Sequence, residues 1–139
     1  MLNLSKTKDK SINATGKRKT AIARATLKAG KGRVKINNVP LALLKPKMYR
    51  MRIEEPLVLA EEVVNKVDIS VNINGGGVMS QSDAARTAIA KALSIHDPKL
   101  RQVFLDYDRN LIVADARFKE ASKPNKHGSA RSKKQKSYR

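Results

Sequence analysis

Residues 68–94, DISVNINGGGVMSQSDAARTAIAKALS, contain a strand pattern, three glycines and a helix pattern in direct succession. The first seven residues alternate between aliphatic and polar side chains, which is typical of a half-buried strand. The glycines end this strand. A capping box at residues 80–83, SQSD, then predicts a helix that continues to about Ser94. The inward positions of the strand are Ile69, Val71 and Ile73.

The predicted helix carries small and aliphatic residues on one arc and polar residues on the other. We expect the first arc to face the core and the second to face solvent. The apolar arc comprises Ala85, Ala88, Ile89, Ala92 and Leu93. The polar arc comprises Arg86, Thr87, Lys91 and Ser94.

Residues 20–29, TAIARATLKA, alternate in the same way and predict a strand whose inner face is small enough for a helix to pack closely. Residues 30–32, GKG, indicate a turn, and the alternation resumes over residues 33–36. The two strands are therefore predicted to form a hairpin, with bases on the face opposite the core. The inner residues of the first strand are Ala21, Ala23, Ala25 and Leu27.

The remaining elements are shorter or less regular. Residues 40–45 predict a short helix, and residues 98–106 predict the last helix. Residues 48–64 predict a helix interrupted or restarted at Pro56, and residues 111–114 suggest a closing edge strand. This order predicts an α+β fold, in which helices cover one face of a small mixed sheet.

The charge of the chain is concentrated at its two ends. Lys and Arg number 30 against 12 acids, a net charge of +18, whereas residues 21–116 have nearly ordinary charge. Residues 117–139 carry nine bases and almost no aliphatic side chain, so this tail alone cannot offset the entropy of ordering. It needs a polyanion, and nucleic acid is the predicted partner. We divide the chain into a basic arm (1–15), a globular domain (16–116) and an extended basic tail (117–139).

Composition and motifs argue against other classes of protein. The chain lacks cysteine, an apolar run of membrane-spanning length and a signal-peptide core, which predicts a cytoplasmic protein with no membrane partner. The sequence offers neither a catalytic arrangement nor a site for a cofactor, metal or small-molecule substrate. His96 and His127 have no supporting ligands, and the paired acids at 54–55 and 61–62 read as solvated charge.

Basic side chains on the predicted strands, the helix and the tail are the candidate RNA contacts, because Lys and Arg on rigid elements position a protein on a phosphate backbone. The candidates are Lys17, Arg18, Lys19, Arg24, Lys28, Arg33, Lys35, Arg86, Lys91, Arg117, Lys119, Lys123, Lys126, Arg131, Lys133 and Lys134.

Two other features have alternative interpretations. The glycines Gly75, Gly76 and Gly77 either permit positive φ and close backbone approach at a crossover or hold an RNA phosphate on free N–H groups. The aromatic residues Tyr49 and Phe104 are predicted core residues. Tyr138 lies in the tail and either packs on RNA or a partner protein or belongs to a frayed end.

Several of these motifs occur together, and in the same order, in a known family. Residues 14–38 (ATGKRKTAIARATLKAGKGRVKINN), 72–77 (NINGGG) and 84–93 (AARTAIAKAL), with the terminal KSYR, resemble the universal small-subunit ribosomal proteins of the S-nine family. The resemblance covers roughly residues 14–139. The ending Ser137-Tyr138-Arg139 resembles the archaeal and eukaryotic branch.

The resemblance implies a four-stranded sheet backed by helices, like the second domain of ribosomal protein S-five, with a left-handed β-α-β crossover at the triple glycine. It implies binding to small-subunit rRNA and contact with neighbouring proteins in the subunit head. It also implies a tail that reaches the anticodon stem-loop of the peptidyl-site tRNA. The tRNA-proximal residues would be Lys136, Ser137, Tyr138 and Arg139.

Two other functions stay open from the sequence. One is a small-molecule kinase of the same superfold, which has a glycine-rich loop at a similar place, although 139 residues leave little room for a second substrate domain. The other is a free-standing nucleic-acid chaperone.

Overall fold

The computed structural model describes residues 11–124 and residue 130. Five strands and four helices make up this part of the chain. The strands are β1 (Ile12–Arg18), β2 (Ala21–Ala29), β3 (Val34–Ile36), β4 (Val39–Pro40) and β5 (Val67–Asn74). The helices are α1 (Lys47–Leu59), α2 (Glu61–Val64), α3 (Val78–His96) and α4 (Lys99–Tyr107), with short 3₁₀ turns at Leu41–Leu43 and Arg109–Leu111.

The strands form one mixed sheet in the order β1-β2-β5-β3-β4. Neighbours pair antiparallel except β3 and β5, which are parallel. The predicted α+β class is confirmed, with five strands where the resemblance implied four. The parallel pair is connected through α1 and α2 and forms the β-α-β unit of the domain, whereas the three glycines follow β5 and lead into α3.

The predicted hairpin between residues 20–29 and 33–36 is wrong, because β5 lies between the two strands. The turn after β2 is instead attached to β5, since the Gly32 amide donates to the Val67 carbonyl at 3.1 Å. The inward residues of β5 are almost completely buried. A central position gives this apolar strand paired neighbours on both edges, which a terminal position cannot provide.

β2 forms its hairpin with β1, a strand that the sequence did not predict. Residues 12–15 lie in the predicted basic arm, and residues 16–18 begin the predicted globular domain with the basic side chains of Lys17 and Arg18. The inward residues of β1 are Ala14 and Gly16, which are small because α3 lies directly against them. The sheet therefore begins at Ile12, before the boundary drawn at residue 16.

The helix α3 is longer than predicted, and its beginning differs. Gly77 is the residue before its first turn, and no side chain caps it, so the predicted capping box is wrong. Ser80 is inside the first turn, and the Ser82 hydroxyl donates to the Met79 carbonyl at 2.7 Å. The predicted apolar arc is buried as expected, but Thr87 on the polar arc is buried too. Its hydroxyl contacts the Asn110 carbonyl at 3.3 Å, because the chain after α4 passes over this side of the helix.

Three further predictions can be compared with the structure. Tyr49 and Phe104 are core residues as predicted. The predicted interruption at Pro56 is wrong, because α1 continues through this residue and ends at Leu59. Residues 111–114 form no strand; instead a 3₁₀ turn places Leu111 and Ile112 in the core.

Two of the three glycines after β5 have the positive φ that glycine tolerates, at +74° for Gly75 and +68° for Gly76. A Cβ added to Gly75 would lie 2.8 Å from the Thr20 carbonyl oxygen, and one added to Gly76 would lie 2.8 Å from Ala21 Cβ. Backbones therefore approach closely at Gly75 and Gly76. Gly77 has no atom within 4 Å of such a Cβ.

Candidate nucleic-acid interface

The helix α3 packs on one face of the sheet, and the opposite face is open and polar. Strand register places the outward residues of β1, β2 and β5 in rows, for example Thr15, Arg24 and Asn72. In the next rows Thr26 is beside Ser70, and Lys28 is beside Asp68, while Lys35 of β3 continues the row of Ser70. We call this surface the open sheet face. Its exposed bases are Lys17, Arg24, Lys28, Arg33 and Lys35.

Asp68 is the acid in these rows, and its carboxylate organises the turn between β2 and β3. One oxygen accepts from the Lys31 amide at 2.8 Å and from the Arg33 amide at 3.0 Å. These backbone hydrogen bonds hold the pKa of Asp68 below its usual value. The carboxylate thereby holds Lys31 and Arg33 at one end of the open sheet face. Lys31 was not among the predicted contacts, because its position depends on a residue 37 positions away.

Two of the predicted RNA contacts, Arg18 and Arg86, are mostly buried in ion pairs within the protein. Arg86 is only 13% exposed and pairs with Glu55 at 3.1 Å and with Asp108. Arg18 pairs with Asp115 at 2.7 Å and approaches Asp83 at 3.8 Å. Glu55 is therefore a structural partner, whereas the sequence indicated a solvated charge.

The pair between Arg18 and Asp115 attaches the start of the tail to the sheet. The Arg18 guanidinium also donates to the Arg117 carbonyl at 3.3 Å, and the Asp115 carboxylate accepts from the Arg117 amide at 2.9 Å. Arg117 itself is 79% exposed, and its guanidinium lies 2.7 Å from Asp115. We call these three residues the tail latch. It sets where residues 117–124 leave the domain.

The tail latch predicts a particular pH dependence of stability. Hydrogen bonds from Arg117, with the charge of Arg18, hold the pKa of Asp115 far below its ordinary value. A carboxylate with a lowered pKa stabilises the fold above its unfolded pKa of about 4, and this stabilisation is lost as pH falls through the folded pKa. Asp115→Asn should therefore be less stable than wild type at pH 7, and the difference should shrink toward pH 2.

Urea unfolding at several pH values measures this difference. Glu62→Gln, at an exposed carboxylate on α2, is the matched control and should show no such change. A constant difference between Asp115→Asn and wild type from pH 7 to pH 2 would contradict the role of the carboxylate charge.

The remaining predicted contacts have varied surroundings. Lys19 is exposed in the β1–β2 turn with φ of 53°, and the Lys91 ammonium donates to the Thr15 carbonyl at 3.3 Å. Lys119 and Lys123 are exposed at the start of the tail. The other predicted contacts lie outside the described residues. They are Lys126, Arg131, Lys133, Lys134, Lys136, Ser137, Tyr138 and Arg139.

Within residues 11–124, no three His, Asp or Glu side chains come together as a metal site would require. No helix in the described part of the chain is long and apolar enough to cross a membrane. The open sheet face carries five exposed bases, and such a surface suits a polyanion.

A small α+β domain with a cationic sheet face and a strongly basic tail is characteristic of proteins that assemble with nucleic acid. The family model for Ribosomal protein S9/S16 matches residues 16–139. The chain belongs to this family, which consists of structural ribosomal proteins and not of enzymes. The expected cytoplasmic location follows from the same membership.

Curated relatives agree over nearly the whole chain. The chain is 51% identical over 132 residues to "Small ribosomal subunit protein uS9" of Methanothrix thermoacetophila, covering 94% of this chain and 99% of the relative. It is 47% identical over 133 residues to the proteins of the same name from Methanococcus maripaludis and Methanococcus vannielii, with the same coverage. The resemblance read from the motifs, including its archaeal character, is confirmed.

Proposed function

We propose that this protein is a structural constituent of the small ribosomal subunit, that it binds rRNA in the subunit head, and that it supports translation. The open sheet face is the main rRNA contact of the globular domain. The observation that carries this assignment is the arrangement of five exposed bases on one rigid surface, where Asp68 is occupied by backbone amides.

The same geometry divides the predicted contacts into two groups. Lys17, Arg24, Lys28, Arg33 and Lys35 are exposed on the open sheet face, where Arg33 also lies 3.9 Å from Asp68 but is 68% exposed. Lys19, Arg117, Lys119 and Lys123 extend the charge toward the tail. Arg18 and Arg86 instead maintain the domain through their ion pairs. Phosphate contacts from the sheet position the protein on RNA, while sequence or shape discrimination requires further contacts.

Salt dependence tests the proposal directly. Binding of the full chain to small-subunit rRNA from the same organism should weaken steeply between 50 and 500 mM salt, with a logarithmic slope of about −0.7 to −0.9 per phosphate contact. Equal affinity at both salt concentrations would exclude an electrostatic rRNA interface. Co-sedimentation with small subunits through high-salt sucrose gradients distinguishes a ribosomal constituent from a free-standing nucleic-acid chaperone, which would remain outside the particles.

We further propose that the end of the tail, residues 136–139, contacts the anticodon stem-loop of the peptidyl-site tRNA. The family relationship supports this contact, and Arg139 offers a guanidinium fork suited to phosphate. Lys133, Lys134 and Lys136 add positive charge close to Arg139 in the sequence.

Deleting residues 136–139 should leave subunit assembly intact and weaken tRNA binding at the peptidyl site. The measurement is tRNA affinity of reconstituted small subunits, with a chain in which Lys45 and Lys47 are replaced by Gln as a control for general loss of charge. Unchanged tRNA affinity after the deletion would contradict this role and would leave the rRNA assignment unaffected.

A kinase-like function is not proposed, because the family is structural. In the glycine-rich connection after β5, Gly75 and Gly76 allow the backbone to lie directly against Thr20 and Ala21.

A further inference from the structure

Phe118 is an unusual residue on the described surface, because its ring is 74% exposed at the start of a basic tail. An exposed phenyl ring forgoes burial that would otherwise stabilise the fold, and here it lies between two basic residues, Arg117 and Lys119. Tyr107 on α4 is also exposed, at 58%, but it belongs to a helix outside the basic region. Phe118, in contrast, has a basic residue on each side in the sequence, Arg117 and Lys119.

A cleft of about 560 Å³ lies beside the Phe118 ring. Its lining combines one aromatic ring, one hydroxyl and three cationic side chains, and none of the lining residues is acidic. They are Lys19, Thr20, Arg117, Phe118 and Lys119. Its volume is within the range of small-ligand sites, and its charge suits an anionic partner.

The cleft is a defined site because both of its walls are attached to the domain. Lys19 and Thr20 form the turn between β1 and β2. Arg117 belongs to the tail latch, and Phe118 and Lys119 follow it directly. The contacts of Arg18 and Asp115 with Arg117 hold the backbone next to Phe118. The ring therefore projects from an anchored position one residue away from the latch.

We propose that Phe118 stacks on an unpaired nucleobase of RNA, while Lys19 and Lys119 contact the phosphates on either side of that nucleotide. Aromatic rings next to bases are the usual arrangement for binding single-stranded nucleotides, because the ring supplies a stacking surface and the cations hold the backbone. The strands of the open sheet face carry no aromatic residue. Stacking on a base would therefore come from Phe118, beside the β1–β2 turn, and not from the sheet face itself. This inference rests on the proposed rRNA binding and adds a site to it.

Substitutions at residue 118 test stacking by comparing side chains of different shape. Phe118→Ala should weaken binding of the full chain to small-subunit rRNA by about 5- to 150-fold, the range for losing one stacked base. Phe118→Tyr should retain affinity, and Phe118→Leu, which is apolar without a π-face, should behave like Phe118→Ala. The salt slope should be unchanged by these substitutions, whereas Lys19→Gln or Lys119→Gln should each reduce its magnitude by about 1.

Fluorescence provides a readout that does not depend on affinity. The chain contains no tryptophan, so Phe118→Trp introduces a single indole whose emission should be quenched when it stacks on a base. Tyr107→Trp is the matched control on α4 and should not be quenched. Single-stranded rRNA segments should quench the first variant more strongly than fully paired RNA does.

The outcomes separate this inference from the proposed function. If Phe118→Ala binds rRNA as tightly as the wild type, or if Phe118→Trp is not quenched, the stacking inference is wrong. A steep salt dependence of wild-type binding would still support the proposed rRNA binding. If Phe118→Ala binds RNA normally but enters subunits poorly in the presence of other head proteins, the occupant of the cleft is a protein and the inference is wrong. Absence of rRNA binding by the wild type would remove the proposed function itself.

Discussion

Replacing Arg24, Lys28 and Lys35 together by Gln is expected to weaken rRNA binding by roughly 500-fold at 0.1 M salt. The three side chains are exposed on the open sheet face, so the substitutions remove phosphate contacts without disturbing the core. Each lost contact reduces the magnitude of the slope of log affinity against log salt concentration by about 1. For three lost contacts, the ratio of wild-type to variant affinity therefore changes nearly 1,000-fold for each tenfold change in salt concentration. The rRNA affinities of the wild type and the triple variant should therefore become similar toward 1 M salt.

The matched control places the same charge change on the helices. Lys47 begins α1, and Lys99 and Arg101 are on α4, all of them exposed. Their triple Gln variant has the same net charge as the sheet variant, and its affinity should remain much closer to wild type. Equal weakening by the two variants would mean that only overall charge matters, and the open sheet face would lose its assignment. Circular dichroism confirms that both variants are folded.

Replacing Gly16 by Ala is expected to destabilise the domain by about 3 kcal/mol, near the upper end of the usual cost of overpacking. A Cβ at this position would lie 2.1 Å from the Ala84 carbonyl oxygen and 2.7 Å from the Ala88 amide nitrogen. Both are backbone atoms of α3, so no side-chain rotation can relieve the overlap. For a domain of this size, thermal unfolding should occur about 10 to 20 °C lower.

Gly77→Ala is the control for this prediction. Gly77 has φ of −101°, and no atom lies within 4 Å of an added Cβ, so this variant should melt close to wild type. If Gly16→Ala also melts like wild type, β1 does not pack on α3 as described. The Gly16 variant should additionally displace Lys17 and Arg18, the next residues along β1, so rRNA binding should fall even at temperatures where the domain is folded.

The inward faces of β2 and β5 could be read from the sequence because they depend only on residues two positions apart. Ala23 and Ala25 of β2 are buried as predicted, as are Val71 and Ile73 of β5. The apolar arc of α3 could also be predicted, because a helix places residues three and four positions apart on one face. Such patterns are local, so they show which face of an element is buried whatever element packs against it.

The strand β1 and the end of the domain could not be predicted in this way. Residues 12–18 pack through Ala14 and Gly16, whose small size is meaningful only once α3 lies against them. Residues 111–114 have the composition of a strand, but Leu111 and Ile112 enter the core through a 3₁₀ turn. In both cases tertiary packing outweighs local propensity.

The composition of the chain by itself determined that the partner is a polyanion, because a net charge of +18 is a sum that no folding can change. Its motifs likewise determined the family. Only the tertiary structure decided which cations are available to that partner. Arg18 and Arg86 look like Arg24 in the sequence, yet their carboxylates come from residues 22 to 97 positions away and hold them within the protein. Charge is a property of composition, whereas its availability depends on which distant groups the fold brings together.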